Sequence, residues 1–278
     1  LDKTRTAMGA RLLRTYVEQP LIEKAEIIKR QKLIEALNAN EITRDEIREY
    51  LNPIYDLERL ITRITYQSAN PRDLIAFRDS LKMLPPIKQQ LSDIPCELTD
   101  EINEEFDELK DIYELLLSSI EDEPPISQRD GDIIKAGYNE EVDRLRDAKT
   151  KGKTWLAELE AGEREKTGIK NLKVGFNKVF GYFIEVTKSY LDQVPERFVR
   201  KQTLTNAERF ITEDLKNLEN QILGAEEKVV NLEYNAFVQI RDEIAKNVKR
   251  LQKSANIVST LDVLASFATV AEDLNYCK

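Results

Sequence analysis

The chain has 278 residues, with 42 Lys and Arg against 51 Asp and Glu, a net charge of −9 and no histidine. Without histidine it lacks the commonest general base, the common zinc ligand and every Ser-His or Cys-His nucleophile pair, so catalysis within these residues is not expected. A third of the residues are charged and Gly and Pro number only 9 each, a composition that favours helices over a length sufficient for two domains.

From Thr4 to Ile120 the sequence predicts amphipathic helices separated by Pro and Asn. Leu12, Leu13, Tyr16 and Val17 form the first apolar face, which ends at Pro20. Ile27, Ile28, Gln31, Ile34 and Leu37 form the second, stopped by Asn38-Ala39-Asn40. Pro53 starts a helix carrying Leu57, Leu60, Ile61 and Ile64. Asn70-Pro71 opens the next, with Leu74, Phe77, Leu81 and Leu84 inside and Pro85-Pro86 as the expected stop. One helix from Thr99 or Asp100 is expected to run through Phe106, Leu109, Tyr113 and Leu116 to Glu123-Pro124-Pro125. An irregular stretch with Gly131 and Gly137 follows.

Two longer helices then flank a β-rich segment. The first is expected from about Asn139 to Glu165, with Val142, Leu145, Lys149, Gly152, Leu156 and Leu159 stepping by three and four. The second starts at Thr212, an N-cap followed by Glu213 and Asp214, and is expected to continue for about 40 residues to Leu251, or roughly 60 Å. A last helix holds Leu261, Leu264, Phe267 and Val270. The two helix seams are read as packing on each other, which makes an arm with the β segment at its tip. Between them, Leu172–Asn177, Tyr182–Val186 and Phe198–Leu204 read as three strands.

Charge is distributed unevenly along this order. Residues 151–210 hold 12 Lys and Arg against 8 Asp and Glu, a net of +4, leaving the rest of the chain at −13. A cationic module on an anionic scaffold points to a polyanionic partner met at one place, with nucleic acid the leading candidate. Arg200, Lys201 and Gln202 in succession, near Thr and Asn residues, could meet phosphate oxygens through charge and neutral hydrogen bonds.

Other motifs carry less. Gly152-Lys153-Thr154 looks like the end of a phosphate-binding loop, but Asp147 stands where its first glycine belongs, and the residues lie within a helical period. Glu104 and Glu105 read as surface charge on a helix. Cys96 and Cys277 are far apart and form no CxxC pair, which fits a reducing cytosol. No run of about 18 apolar residues suggests a membrane span. The start at LDKTRTAMG, without an initiator Met, suggests a piece of a longer protein.

The string LKVGFNKVFGYFIEVTK, followed by RKQTLTNAERFITEDL, resembles the clamp region of the MutS family of DNA mismatch-recognition proteins. LDKTRTAMGARLLRTYVEQP, ANPRDLIAFRDSLKMLP, RDGDIIKAGYNEEVD and SANIVSTLDVLASFATVAEDLNY resemble successive segments of that family's core, so the resemblance covers nearly the whole chain. One departure is Glu213, where family members often have Pro; both suit the first turn of a helix. The resemblance implies a core (lever) domain at 1–151 and 214–278, interrupted by a clamp at 152–213. It also implies that the mismatch-reading domain with its Phe-x-Glu wedge has no counterpart here. The same holds for the ATPase, which would bring ATP and magnesium.

The expected fold is therefore mainly α: a multi-helix core with two long lever helices and a small inserted β-rich clamp. The resemblance implies sequence-independent binding to the double-stranded DNA backbone, with levers linking the clamps of a homodimer to ATPase heads. It further implies MutL-type repair partners and a bacterial cytoplasmic protein, nucleoid-associated during repair. The expected DNA contacts are Lys178, Lys188, Arg197, Arg200, Lys201, Gln202, Asn206 and Arg209, with no catalytic residue, cofactor or metal in this chain. The alternative is a helical scaffold arm whose basic tip binds an acidic protein.

Overall fold

The computed structural model describes residues 2–276, with the side chains of 148 and 149 left aside; Cys277 lies outside the described residues. The chain divides into two compact units, residues 1–135 with 235–278, and residues 136–234. The expected domain limits at 152 and 213 fall inside the second unit, near the middle of one helix and at the start of another.

The first unit is helical. Its elements are α1 (Ala7–Glu18), α2 (Lys24–Ala39), α3 (Glu41–Leu51), α4 (Leu57–Thr65), α5 (Pro71–Leu81), α6 (Leu84–Ser92), α7 (Glu97–Glu105), α8 (Lys110–Ser119) and α11 (Val248–Asp273). The expected start of α5 is realised as a full capping box. Asn70 accepts from the Asp73 amide at 2.9 Å while Asp73 accepts from the Asn70 amide at 2.8 Å, with Pro71 in the first turn. α11 is enclosed by the core, with Val258, Leu261, Leu264 and Ala268 fully or almost fully buried. This helix is long and apolar enough to cross a membrane, which the sequence reading did not register, yet most of its apolar stretch is buried in the protein core. Its buried Asp262 accepts from the amides of Arg5 and Thr6 and from the Thr6 hydroxyl, all at 2.7–3.1 Å. Thr6 in turn caps α1 through the Gly9 amide. Burial pushes the Asp262 carboxyl up despite these donors.

The second unit contains α9 (Glu140–Thr167), the first two-thirds of α10 (Glu213–Ala245) and a four-stranded antiparallel sheet. The strands are β1 (Lys173–Asn177), β2 (Gly181–Thr187), β3 (Val199–Thr203) and β4 (Ala207–Ile211), in spatial order β1-β2-β4-β3. A 3-10 turn at Lys188–Gln193 follows β2. α9 and α10 run antiparallel: Arg146 donates to buried Glu233 at 2.6 Å, and Gly152 sits directly against Ile222. α9 ends at Gly168, whose φ of +73° supplies the left-handed C-cap. Thr212 caps α10 as expected, its hydroxyl accepting from the Leu215 amide at 3.2 Å.

Several expectations needed correction. Pro85-Pro86 opens α6 instead of stopping a helix, because the first turn has no amide bonds for proline to remove. The single helix expected from 99 onward is two, broken where Leu109 adopts φ +54° beside Asp107. α3 went unseen because its buried face includes Arg44 and Arg48 as well as Ile47 and Leu51. The long returning helix ends at Ala245, and α11 begins after a two-residue turn. Ile244, Val248 and Leu251 keep helical spacing across that turn, so periodicity alone cannot locate it. The sheet has four strands instead of three, since β4 mixes Glu208 and Arg209 among apolar residues.

Candidate nucleic-acid interface

The alternation of side chains along the strands sorts the basic module into two faces. Ile184, Val186 and Phe210 point into a small core with Ile169, Leu172, Phe198 and Leu215, against which Leu156 and Leu159 of α9 pack. Register places Glu185 opposite Arg209, and Arg209 opposite Gln202, on the other face. Carboxylates from the helices fix the sheet. Glu160 accepts from the Val174 amide at 2.7 Å, and Glu219 of α10 accepts from the Tyr182 amide at 3.0 Å.

Three of the predicted contact arginines are engaged inside the module. Arg197 makes paired hydrogen bonds to Glu163 at 3.0 and 2.6 Å, and that carboxylate is only 2% exposed. Arg200 forms an ion pair with buried Glu208 at 2.7 Å. Arg209 donates to Glu185 at 2.9 Å and to Gln202 at 3.0 Å, while its guanidinium covers the Phe183 ring at 4.0 Å. That stacking buries Phe183 on the face away from the core.

The lysines and Asn206 are arranged differently. Lys178 lies exposed in the β1–β2 turn, and among the described residues no carboxylate stands within ion-pair distance of it. Lys188 is equally exposed at the far end of β2, where its amide donates to the Asn206 carbonyl at 3.1 Å. The structure thus brings Lys188 and Asn206 together and sets Lys178 at the opposite end of a seven-residue strand, roughly 20 Å away. Lys201 is the extra residue of a β-bulge between Arg200 and Gln202. Its ammonium donates to the Phe180 carbonyl in the β1–β2 turn.

Sequence reasoning did not identify the anchoring acids Glu160, Glu163 and Glu219, which look like ordinary charge on long helices. It also passed over Val179 and Phe180, which the turn leaves 81% and 41% exposed. Gly181, at φ +74°, was the one signal of a turn whose shape is demanding. Gly152-Lys153-Thr154 lies within α9 with Gly152 packed on Ile222, so its amides offer no phosphate cradle. Among the described residues no group of three acidic or sulfur side chains is placed to hold a metal ion.

Comparisons with known proteins identify the family of the chain. The family model for MutS domain III matches residues 1–268. The DNA mismatch repair protein MutS of Lachnoclostridium phytofermentans is 60% identical over 272 residues, covering 98% of this chain and 29% of that protein. Its counterparts in Caldanaerobacter subterraneus subsp. tengcongensis and Clostridium tetani are 54% and 53% identical, each covering all of this chain and 32% of the relative. The chain thus spans about a third of the length of these relatives, and it belongs to the MutS family of DNA mismatch repair proteins.

Proposed function

We propose that the sheet module holds the DNA backbone without reading sequence, as a clamp, while α9 and α10 act as levers linking it to the rest of a longer repair protein. The observation that carries this reading is the segregation of charge. Residues 151–210 carry +4 and the remainder −13, and Lys178 and Lys188 are exposed, with no ion pair at either among the described residues. Lysine and amide groups spread along one small sheet suit phosphates and neutral backbone oxygens. In the longer protein, two such clamps would enclose a duplex, with ATP and magnesium bound elsewhere and MutL-type proteins as later partners. The ion pairs Arg197–Glu163 and Arg200–Glu208, each made to a buried carboxylate, support a stiff module that could pass displacement to the helices.

The test is the affinity of the 278-residue chain for homoduplex DNA at two salt concentrations. With two phosphates neutralised, affinity should fall about twelvefold between about 50 and 200 mM salt. No binding at low salt, with binding to acidic protein instead, would replace the clamp reading with that of a scaffold arm.

A further inference from the structure

The β1–β2 turn displays apolar side chains where solvent contact is expected. Val179 is 81% exposed, Phe180 41% and Phe176 51%, with the Phe176 ring 4.8 Å from that of Tyr182. The turn is nevertheless held in place by three separate elements. Asn177 accepts from the Val179 and Phe180 amides at 2.8 and 3.3 Å, and Lys201 of β3 donates to the Phe180 carbonyl. Glu219 of α10 accepts from the Tyr182 amide at 3.0 Å. It also fills the space beside Gly181, where a Cβ would lie 1.9 Å from its Oε1 atom. A loop anchored this way has already lost much of the freedom it would otherwise give up on binding.

A partner for this turn must offer negative charge to Lys178 and an apolar surface to its neighbours Val179 and Phe180, within one side-chain length. The deoxyribose-phosphate backbone alternates those two chemistries. A second copy docked through the same turn would instead bring Lys178 against its own equivalent, which charge repulsion disfavours. Resting on the backbone-binding reading above, we infer that Val179 and Phe180 lie against deoxyribose of the duplex while Lys178 takes an adjacent phosphate. Glu219 is then the positioning residue that holds the turn in register, and Lys201 braces it from β3.

The experiment separates apolar contact from charge by the salt dependence of homoduplex binding in the 278-residue chain. Val179→Ser with Phe180→Ser should weaken affinity about tenfold at every salt concentration and leave the slope unchanged, because no phosphate contact is lost. Lys178→Gln should flatten the slope by about 0.9. Glu219→Ala should speed hydrogen exchange at the Tyr182 amide and weaken binding, whereas Glu219→Gln, which keeps the acceptor oxygen, should restore both. Parent-like affinity in the serine variant, or parent-like exchange and affinity in Glu219→Ala, overturns the inference while leaving backbone binding intact. Loss of a DNA-free dimer in the serine variant also overturns it, in favour of a second copy. A parent chain that fails to bind duplex at low salt removes the underlying reading as well.

Discussion

Arg200 Nε lies 2.7 Å from Oε2 of Glu208, a carboxylate that is 5% exposed on the neighbouring strand. The pair ties edge strand β3 to β4 beside the Phe210 core, so charge reversal at Arg200 acts on folding as well as on any phosphate contact. Arg200→Glu would set two carboxylates together, one of them buried. It should destabilise the module by about 1–3 kcal/mol, visible as a separate early transition in thermal melting. Arg200→Gln should cost less. Equal melting curves for parent and Arg200→Glu would show that the ion pair contributes little.

For DNA binding the cleaner substitutions are therefore Lys178→Gln and Lys188→Gln, whose side chains are exposed and, among the described residues, in no ion pair. Each should flatten the plot of log affinity against log salt by about 0.9, by the same amount for any duplex sequence. Mismatched and homoduplex DNA should bind within about threefold of each other, or roughly 0.7 kcal/mol, since the sequence of the module carries no recognisable wedge motif for insertion between base steps. Competition titrations with both duplexes at two salt concentrations measure all three quantities.

Two glycines on α9 should respond to the same substitution with opposite signs. A Cβ at Gly162 meets nothing within 4 Å, so Gly162→Ala should stabilise the helix by about 0.5–1 kcal/mol. At Gly152 a Cβ would lie 2.7 Å from Cγ1 of buried Ile222, forcing α9 and α10 apart. Gly152→Ala should destabilise by about 1–2 kcal/mol despite its better helix propensity. Urea denaturation of the two variants distinguishes these outcomes.

Gly152-Lys153-Thr154 should give no nucleotide site. Its residues are helical, and their amides are engaged along α9 instead of converging on an anion. Calorimetric titration with magnesium-ATP should show no saturable heat; a saturable site would contradict this directly.

Acid should expose the contribution of Asp56. Its carboxylate accepts from Arg11 at 2.7 and 2.8 Å and caps α4 through the Arg59 amide at 3.2 Å; hydrogen bonding from Arg11 holds it below the usual carboxylate range. A carboxyl whose folded pKa is depressed adds stability above its unfolded value of about 3.9 and loses it as pH falls through the lower folded value. Asp56→Ala should therefore cost about 1 kcal/mol at pH 7. The gap between variant and parent should close progressively below about pH 4, in urea denaturation repeated across that range.

Where local chemistry decides conformation, the sequence alone was sufficient. Asn70-Pro71 and Thr212 mark helix starts because their side chains satisfy the first free amides, an arrangement that depends on neighbours within three residues. The alternation in Tyr182, Ile184 and Val186 identified β2, and the +4 island located the candidate binding module before any contact was known. Pairing between distant residues was not legible. Arg197, Arg200 and Arg209 read as free cations in one dimension, and only the fold sets each beside a carboxylate 34, 8 or 24 positions away. The same holds for Pro85-Pro86, which open a helix, and for the turn after Ala245, where apolar spacing continues across a break between two helices. Composition and spacing determined which elements form and where charge accumulates, because those follow from propensity and solvation of each segment. Which cations remain available to a phosphate was decided by tertiary structure, since an ion pair depends on distance in space, which residue order does not encode.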